Sequence, residues 1–258
     1  MPRIIYRAGG FSPKICDIMQ CMKRKVATHS QHFLRNPRFI AELVGHSNIR
    51  RGDFVLDIGA GSGAIAAVLA RRCQRVAAYE NEPRTLALLR RNMAHCDNVQ
   101  IVAQDFLRAR LPRQPYKVFA NIPFSLSSKI ITKLALADNP PRAMYLIVQK
   151  QFAQKLVLDS PHFHSALGQA LAPWWQARIR RPLRRSDFTP PPAVDTVLIE
   201  LKLRSKPLLD PAKARDFHSF VYACYHDPRA FRQVYRGDLK PSQLNTQQWL
   251  ACFSGCAR

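Results

Sequence analysis

The chain has 258 residues, enough to bury one full core and a small second domain. Its 40 Lys and Arg against 17 Asp and Glu leave a formal net charge of +23, far beyond what solubility requires, so a polyanionic partner is expected and nucleic acid is the commonest. No apolar run approaches the roughly 18 residues of a membrane span, and the seven cysteines (16, 21, 73, 96, 224, 252 and 256) are scattered without paired spacing, which argues for reduced thiols in a cytoplasmic protein and against a disulfide framework or a zinc site.

Residues 1 to 28 carry Arg3, Arg7, Lys14, Lys23, Arg24 and Lys25 against Asp17 alone. They read either as a basic arm that touches RNA phosphates or as a disordered leader, and the apolar pieces between the charges are too short for a secretory signal. Thr28 to Leu34 follows, and Asn36-Pro37 is an N-cap and N1 pair for a helix to about Gly45, with Phe39, Ile40, Leu43 and Val44 on one face.

Phe54 to Ile58 reads as a buried strand, Gly59-Ala60-Gly61-Ser62-Gly63 as a tight turn, and Ala64 to Arg72 as a helix. The GxGxG spacing differs from both the dinucleotide fingerprint and the P-loop, and a glycine-rich turn by itself is weak evidence. A second strand, Arg75 to Tyr79, ends in Glu80, where an acid can take the two hydroxyls of a ribose. A helix over 82–94 leads to a third strand, Val99 to Ala103, ending in Gln104-Asp105-Phe106. Asp105 is placed to accept from an adenine amine and Phe106 to lie against a purine face; each acid alone is more often a solvated loop residue. A fourth strand runs into Asn121-Ile122-Pro123-Phe124. Taken alone that stretch is a strand cap and a core ring; beside the other three sites it is a cleft where an amide, a fixed turn and an aromatic face meet a substrate.

Arg142 to Val148 reads as another strand and Gln149 to Leu158 as a helix. Trp174-Trp175, expected in the core, opens a stretch with Arg178, Arg180, Arg181, Arg184 and Arg185 and no acid, a candidate phosphate-binding strip or a solvated face. Val194 to Leu203 alternates like a final strand with Val197, Ile199 and Leu201 on one side. After Arg204-Ser205-Lys206-Pro207 the pattern turns helical, Pro211 to Tyr225 first and shorter pieces to Leu250. The expected organisation is a basic arm (1–28), an α/β domain (29–205) and a small helical domain (206–258), whose role is one wall of an RNA cleft or simply a cover for the sheet.

Strand ends near 59, 80, 105 and 121 converge on one edge of one sheet in a doubly wound α/β fold. A ligand with a ribose and an adenine but no gripped phosphate fits S-adenosylmethionine better than a nicotinamide dinucleotide.

From Ser30 to about Leu203 the chain resembles the ribosomal RNA adenine methyltransferases, and within them the Erm type that methylates 23S rRNA and confers macrolide, lincosamide and streptogramin B resistance. The resemblance rests on Ser30-Gln31-His32-Phe33-Leu34, Asp57 to Gly63, Glu80, Asp105, Asn121 to Phe124, Gln149 to Ala153 and Phe188 to Asp195. It implies a Rossmann-like fold and S-adenosyl-L-methionine as cofactor, with His32 and Leu34 at its methionine end, Gly59 and Gly61 beneath it, Glu80 on the ribose and Asp105 on the adenine. Asn121, the Ile122 carbonyl and Phe124 would handle the target base, and Phe188 would close on it. The implied partner is ribosomal RNA, 23S before 16S, and the implied state is a monomer without a membrane. Ile122 favours the Erm type over the sister KsgA-type enzymes, which typically carry Asn-Leu-Pro-Tyr and dimethylate adjacent small-subunit adenines; a non-catalytic nucleic-acid-binding relative is the third alternative. His32 and Phe124 depart from the Asn and Tyr of many Erm proteins, and the counterpart of a basic RNA-touching residue near His162 to Ser165 is not identifiable.

Overall fold

The chain's computed structural model describes residues 32–34, 36–158 and 164–256. The basic arm, Ser30, Gln31, His162 and Phe163 lie outside the described residues.

A two-residue strand, β1 (Phe33–Leu34), precedes helix α1 (Pro37–Gly45). Asn36 caps α1 by accepting from the Arg38 N–H at 2.9 Å, and Pro37 sits at the first turn, where its missing donor costs nothing. Ile40, Leu43 and Val44 form its buried face. β2 (Phe54–Ile58), α2 (Ala64–Ala70), β3 (Arg75–Glu80), α3 (Pro83–Met93), β4 (Val99–Ala103) and β5 (Lys117–Asn121) then alternate as the sequence predicts. α4 (Ser127–Ala135), which the sequence reading left out, leads to β6 (Ala143–Gln149), α5 (Lys150–Leu156), α6 (Ala166–Leu171) and β7 (Trp175–Leu183). Gln149 ends β6 instead of opening α5, because its backbone stays in register with Thr196. β8 (Phe188–Thr189) and β9 (Thr196–Leu203) complete the strands, followed by α7 (Ala214–His226), α8 (Pro228–Val234) and α9 (Thr246–Cys256).

Among the described residues the main sheet has seven strands in the order β4-β3-β2-β5-β6-β9-β7. The first five are mutually parallel, and β9 runs antiparallel to both β6 and β7. From β2 the chain winds outward to β4 and returns to lay β5 on the other side of β2. That reversal opens a crevice at the carboxyl ends of β2 and β5, the switch point where doubly wound sheets bind ligands. Central strands are covered on both faces: all five β2 residues are buried, with Leu56 and Ile58 in one apolar cluster and Val55 in the other. β9 is likewise two-sided, since Leu198 on the opposite face from Val197, Ile199 and Leu201 is also buried.

Trp174 and Trp175 are core residues, as expected. The C-terminal helices bury Phe217, Val221 and Cys224 of α7 into the same cluster as one face of the sheet, and Trp249 of α9 is fully enclosed by Phe220, Tyr225 and Phe231. Burying a side chain of this size contributes about 1.5–3 kcal/mol. No described helix is long and apolar enough to cross a membrane.

Candidate active site

The turn after β2 is built from three glycines with positive φ: Gly59 (70°), Gly61 (58°) and Gly63 (94°). Two of them have no room for a side chain. A Cβ on Gly61 would lie 2.6 Å from the Phe33 ring, and one on Gly63 would lie 2.8 Å from Leu89 of α3. The Gly59 and Ala60 N–H groups both donate to the Tyr79 carbonyl at 2.9 Å, tying the loop to β3.

Glu80, at the end of β3, is only 5% exposed. Its Oε2 accepts from the Gly61 N–H at 2.8 Å and its Oε1 from the Asn81 and Glu82 N–H groups at 2.9 Å. Three backbone donors therefore fix the carboxylate, while Oε2 retains a lone pair for a hydroxyl. Beneath the loop, Asp57 is fully buried and neither of its oxygens has a hydrogen-bond partner. Burial first, and the Glu80 charge second, push its carboxyl from 3.8 up to about 8, against a weak downward pull from the Ala66 N–H. Both effects favour the protonated form of Asp57 near neutral pH.

Past β4, Asp105 Oδ1 accepts from the Leu107 N–H at 2.9 Å, and Oδ2 lies 4.0 Å from the Arg108 guanidinium. Phe106 is 6% exposed and packs edge-on against Tyr79, with ring centroids 5.1 Å apart. It forms cleft wall and core together. The loop is clamped by Lys133 of α4, which donates to the Leu107 and Ala109 carbonyls at 2.8 and 2.6 Å and lies 5.5 Å above the Phe106 ring. Burial lowers the Lys133 pKa. Sequence reading missed Lys133, since nothing in its spacing marks a partner more than twenty residues back. Ile58, Tyr79, Glu80, Asp105, Phe106 and Pro123 line the resulting narrow cleft.

Asn121 sits at the end of β5, beside β2 across the switch point. Its Nδ2 donates to the His32 carbonyl at 2.6 Å, so the side-chain oxygen is turned away from that bond. The His32 ring stacks on Phe124 (centroids 5.8 Å, planes 26° apart), and its Nδ1 bonds the Pro190 carbonyl at 2.8 Å. β1 and β8 pair antiparallel, Phe33 with Thr189 and Leu34 with Phe188. This small sheet is a strap across the sheet edge that carries Gly61 and Asn121. It places the Phe33 ring on Gly61, a contact absent from the sequence reading although the glycine requirement hints at it. Leu34 and Phe188 point the other way, 6% and 1% exposed, into the cluster around Ile40 and Leu43. The ring predicted to close on a base is thus a core side chain here, and His32, whose carbonyl holds Asn121, forms an aromatic pair with Phe124.

The five arginines do not form one free strip. They lie on and just after β7, an edge strand with a register shift between Ile179 and Arg181. Arg180 pairs with Glu200 at 3.6 Å, Arg185 with Asp195 at 3.4 Å, and Arg181 with Glu42 of α1 while covering the Phe39 ring. Among the described residues the Arg178 and Arg184 guanidinium groups form no ion pair, although the Arg184 backbone N–H donates to the Asp187 carboxylate at 2.8 Å. A cavity of about 690 Å³ lies by α5, α6 and β7 with no acid in its wall, away from Glu80 and Asp105. Among the described residues no group of three or more His, Cys, Asp or Glu is placed to hold a metal.

Residues 22–230 match the family model for ribosomal RNA adenine dimethylase. An rRNA methyltransferase of Streptomyces thermotolerans is 33% identical over 198 residues, 77% of this chain and 66% of its own length. An rRNA adenine N-6-methyltransferase of Bacillus licheniformis is 31% identical over 173 residues, 66% of this chain and 59% of its own. The chain thus spans 59 to 66% of the length of these curated relatives. The crystal structure of the 23S rRNA methyltransferase ErmE is similar with a TM-score of 0.73 at 25% identity, covering 88% of this chain and 100% of that one.

Proposed function

The chain belongs to the ribosomal RNA adenine dimethylase family, and on that premise we propose that it is an Erm-type enzyme, methylating the exocyclic amine of one adenine in 23S rRNA and so conferring macrolide, lincosamide and streptogramin B resistance. The observation that carries the reading is the fixed amide of Asn121: with Nδ2 held by His32, Oδ1 is the acceptor left for a substrate amine beside Phe124.

The cofactor is S-adenosyl-L-methionine, which supplies an electrophilic methyl group. The residues fit it. Glu80 holds the ribose, Asp105 the adenine amine, Gly59 and Gly61 offer backbone beneath the chain, and His32, Phe33 and the backbone of Leu34 border the methionine end. The Gly61 cradle, closed by Phe33 where a Cβ would stand, and the buried Glu80 carboxylate with a spare lone pair support that assignment.

Adenine's amine is a weak nucleophile because its lone pair is delocalised into the ring. Asn121 Oδ1 and the Ile122 carbonyl accept its two hydrogens and favour the pyramidal nitrogen needed for attack, so orientation replaces a general base and the released proton goes to water. The base leaves its stack to reach them, and the Phe124 face, backed by His32, offsets part of an unstacking cost of a few kcal/mol. Phe188 supports the strap from behind. Arg178 and Arg184 contact RNA phosphates, residues 206–258 form one wall of the RNA cleft, and the protein acts as a monomer in the cytoplasm.

Methylation of deproteinised 23S and 16S rRNA in parallel, with mapping of the modified base, tests this. Label at one 23S adenine is the expected result. Label confined to 16S rRNA would replace the reading by the small-subunit type, and RNA binding without transfer would make the chain a non-catalytic relative.

A further inference from the structure

The segments Gln149 to Ala153 and Ala193 to Asp195 have no role in the chemistry above, yet the fold brings them together at the carboxyl end of β6, one strand from Asn121. They enclose a recess of about 420 Å³ lined by Gln149, Lys150, Gln151, Gln154, Arg185 and Asp195. The Lys150 N–H donates to the Asp195 carbonyl at 2.8 Å and fixes the two walls to each other. We propose that this recess is the subsite for a nucleotide adjacent to the target adenine and that its glutamines select that nucleotide's base.

The inference deepens the function proposed above and rests on it. Position comes first: Asn121 pairs with Ile147 across β5 and β6, and Gln149 lies two residues further along the same face. From strand spacing and rise the separation from Asn121 is about 8 Å, the scale of one step along a splayed-out strand. Chemistry comes second. Gln151 and Gln154 are three apart on exposed α5 and so share a face with the Gln149 end of β6. No other described group bonds these three side-chain amides, and an amide matches the paired donor and acceptor of a base edge. Val194, 39% exposed, gives the recess an apolar wall against which a base can lie. Charge comes third. Lys150 is exposed, and the Arg185–Asp195 pair is more than half exposed on both sides, so it contributes little and its guanidinium can turn to a phosphate. A nucleotide uses all three features, whereas a simple anion would leave the amides and the apolar wall idle.

The test uses the full chain and short hairpin transcripts carrying the unmodified target adenine, with each neighbouring nucleotide varied in turn. Wild-type kcat/KM is expected to differ by about tenfold or more between bases at one neighbouring position. The double variant Gln151→Ala/Gln154→Ala is expected to reduce that ratio to about twofold or less while its unfolding midpoint and S-adenosylmethionine Kd stay at wild-type values. Lys150→Ala is expected to raise KM by a similar factor on every hairpin, leaving the ratio intact. Wild-type transfer without discrimination at either neighbour, or discrimination that survives the double variant, overturns this inference alone. No transfer by the wild type into either rRNA overturns the reading beneath it, and this one with it.

Discussion

His32 holds Asn121 from 89 residues away: the strap's backbone carbonyl takes the Asn121 amide hydrogen at 2.6 Å, and the same residue's ring lies on Phe124. The orientation of the Asn121 amide is therefore set by a different part of the chain from the strand that carries it. Asn121→Asp removes the donor and sets a carboxylate oxygen against the His32 carbonyl. We expect kcat to fall by about 10²–10³-fold, the loss typical of one misaligned transition-state group. Asn121→Ala should abolish transfer. S-adenosylmethionine affinity, measured by calorimetry, should remain near wild type in Asn121→Ala, and near-normal turnover in either variant would refute the role.

Asp57 makes the stability of the fold depend on pH. Its folded pKa is about 8 against an ordinary 3.8, so between those values the folded chain keeps a proton that the unfolded chain releases. The stabilisation is fully present below about pH 4 and is lost as the pH rises through 8. Asp57→Asn cannot ionise. The melting temperature of the variant minus that of the wild type should therefore climb from pH 5 to 8 and level off above it. A difference that stays flat across that range would show that Asp57 is ionised in the folded protein.

Gly61 meets two constraints at once, a φ of 58° and the Phe33 ring. Gly61→Ala should destabilise the chain by at least about 1–2 kcal/mol from backbone strain alone, read by urea unfolding, and should weaken S-adenosylmethionine binding. Adding Phe33→Ala relieves the clash and leaves the strain, so the double variant should recover only part of the stability. Full recovery would show that φ is not limiting.

Arginines with and without an ion-paired guanidinium should separate in their response to salt. Arg178→Ala and Arg184→Ala should each lower the slope of log K for RNA binding against log salt by about one. Arg181→Ala should instead cost stability, about 1 kcal/mol for its partly exposed ion pair with Glu42 and its place over Phe39. Equal slopes for all three variants would restore the five arginines as one strip.

The elements most legible in the sequence were those whose signals are local. Asn36-Pro37 capped a helix, Phe54 to Ile58 had the continuous apolar character of a central parallel strand, and three glycines in five residues announced a turn. Glu80 and Asp105 could be placed at strand ends because those ends were readable within a few residues. What the sequence could not decide were choices made among residues far apart in the chain. Sheet order put β5 beside β2, packing turned Phe188 into the core and set Phe33 on Gly61, and Glu42, Glu200 and Asp195 came to three of the five arginines from other elements. The proton on Asp57 belongs with these: the amino acid is local, but its ionisation follows from the water that the completed fold excludes.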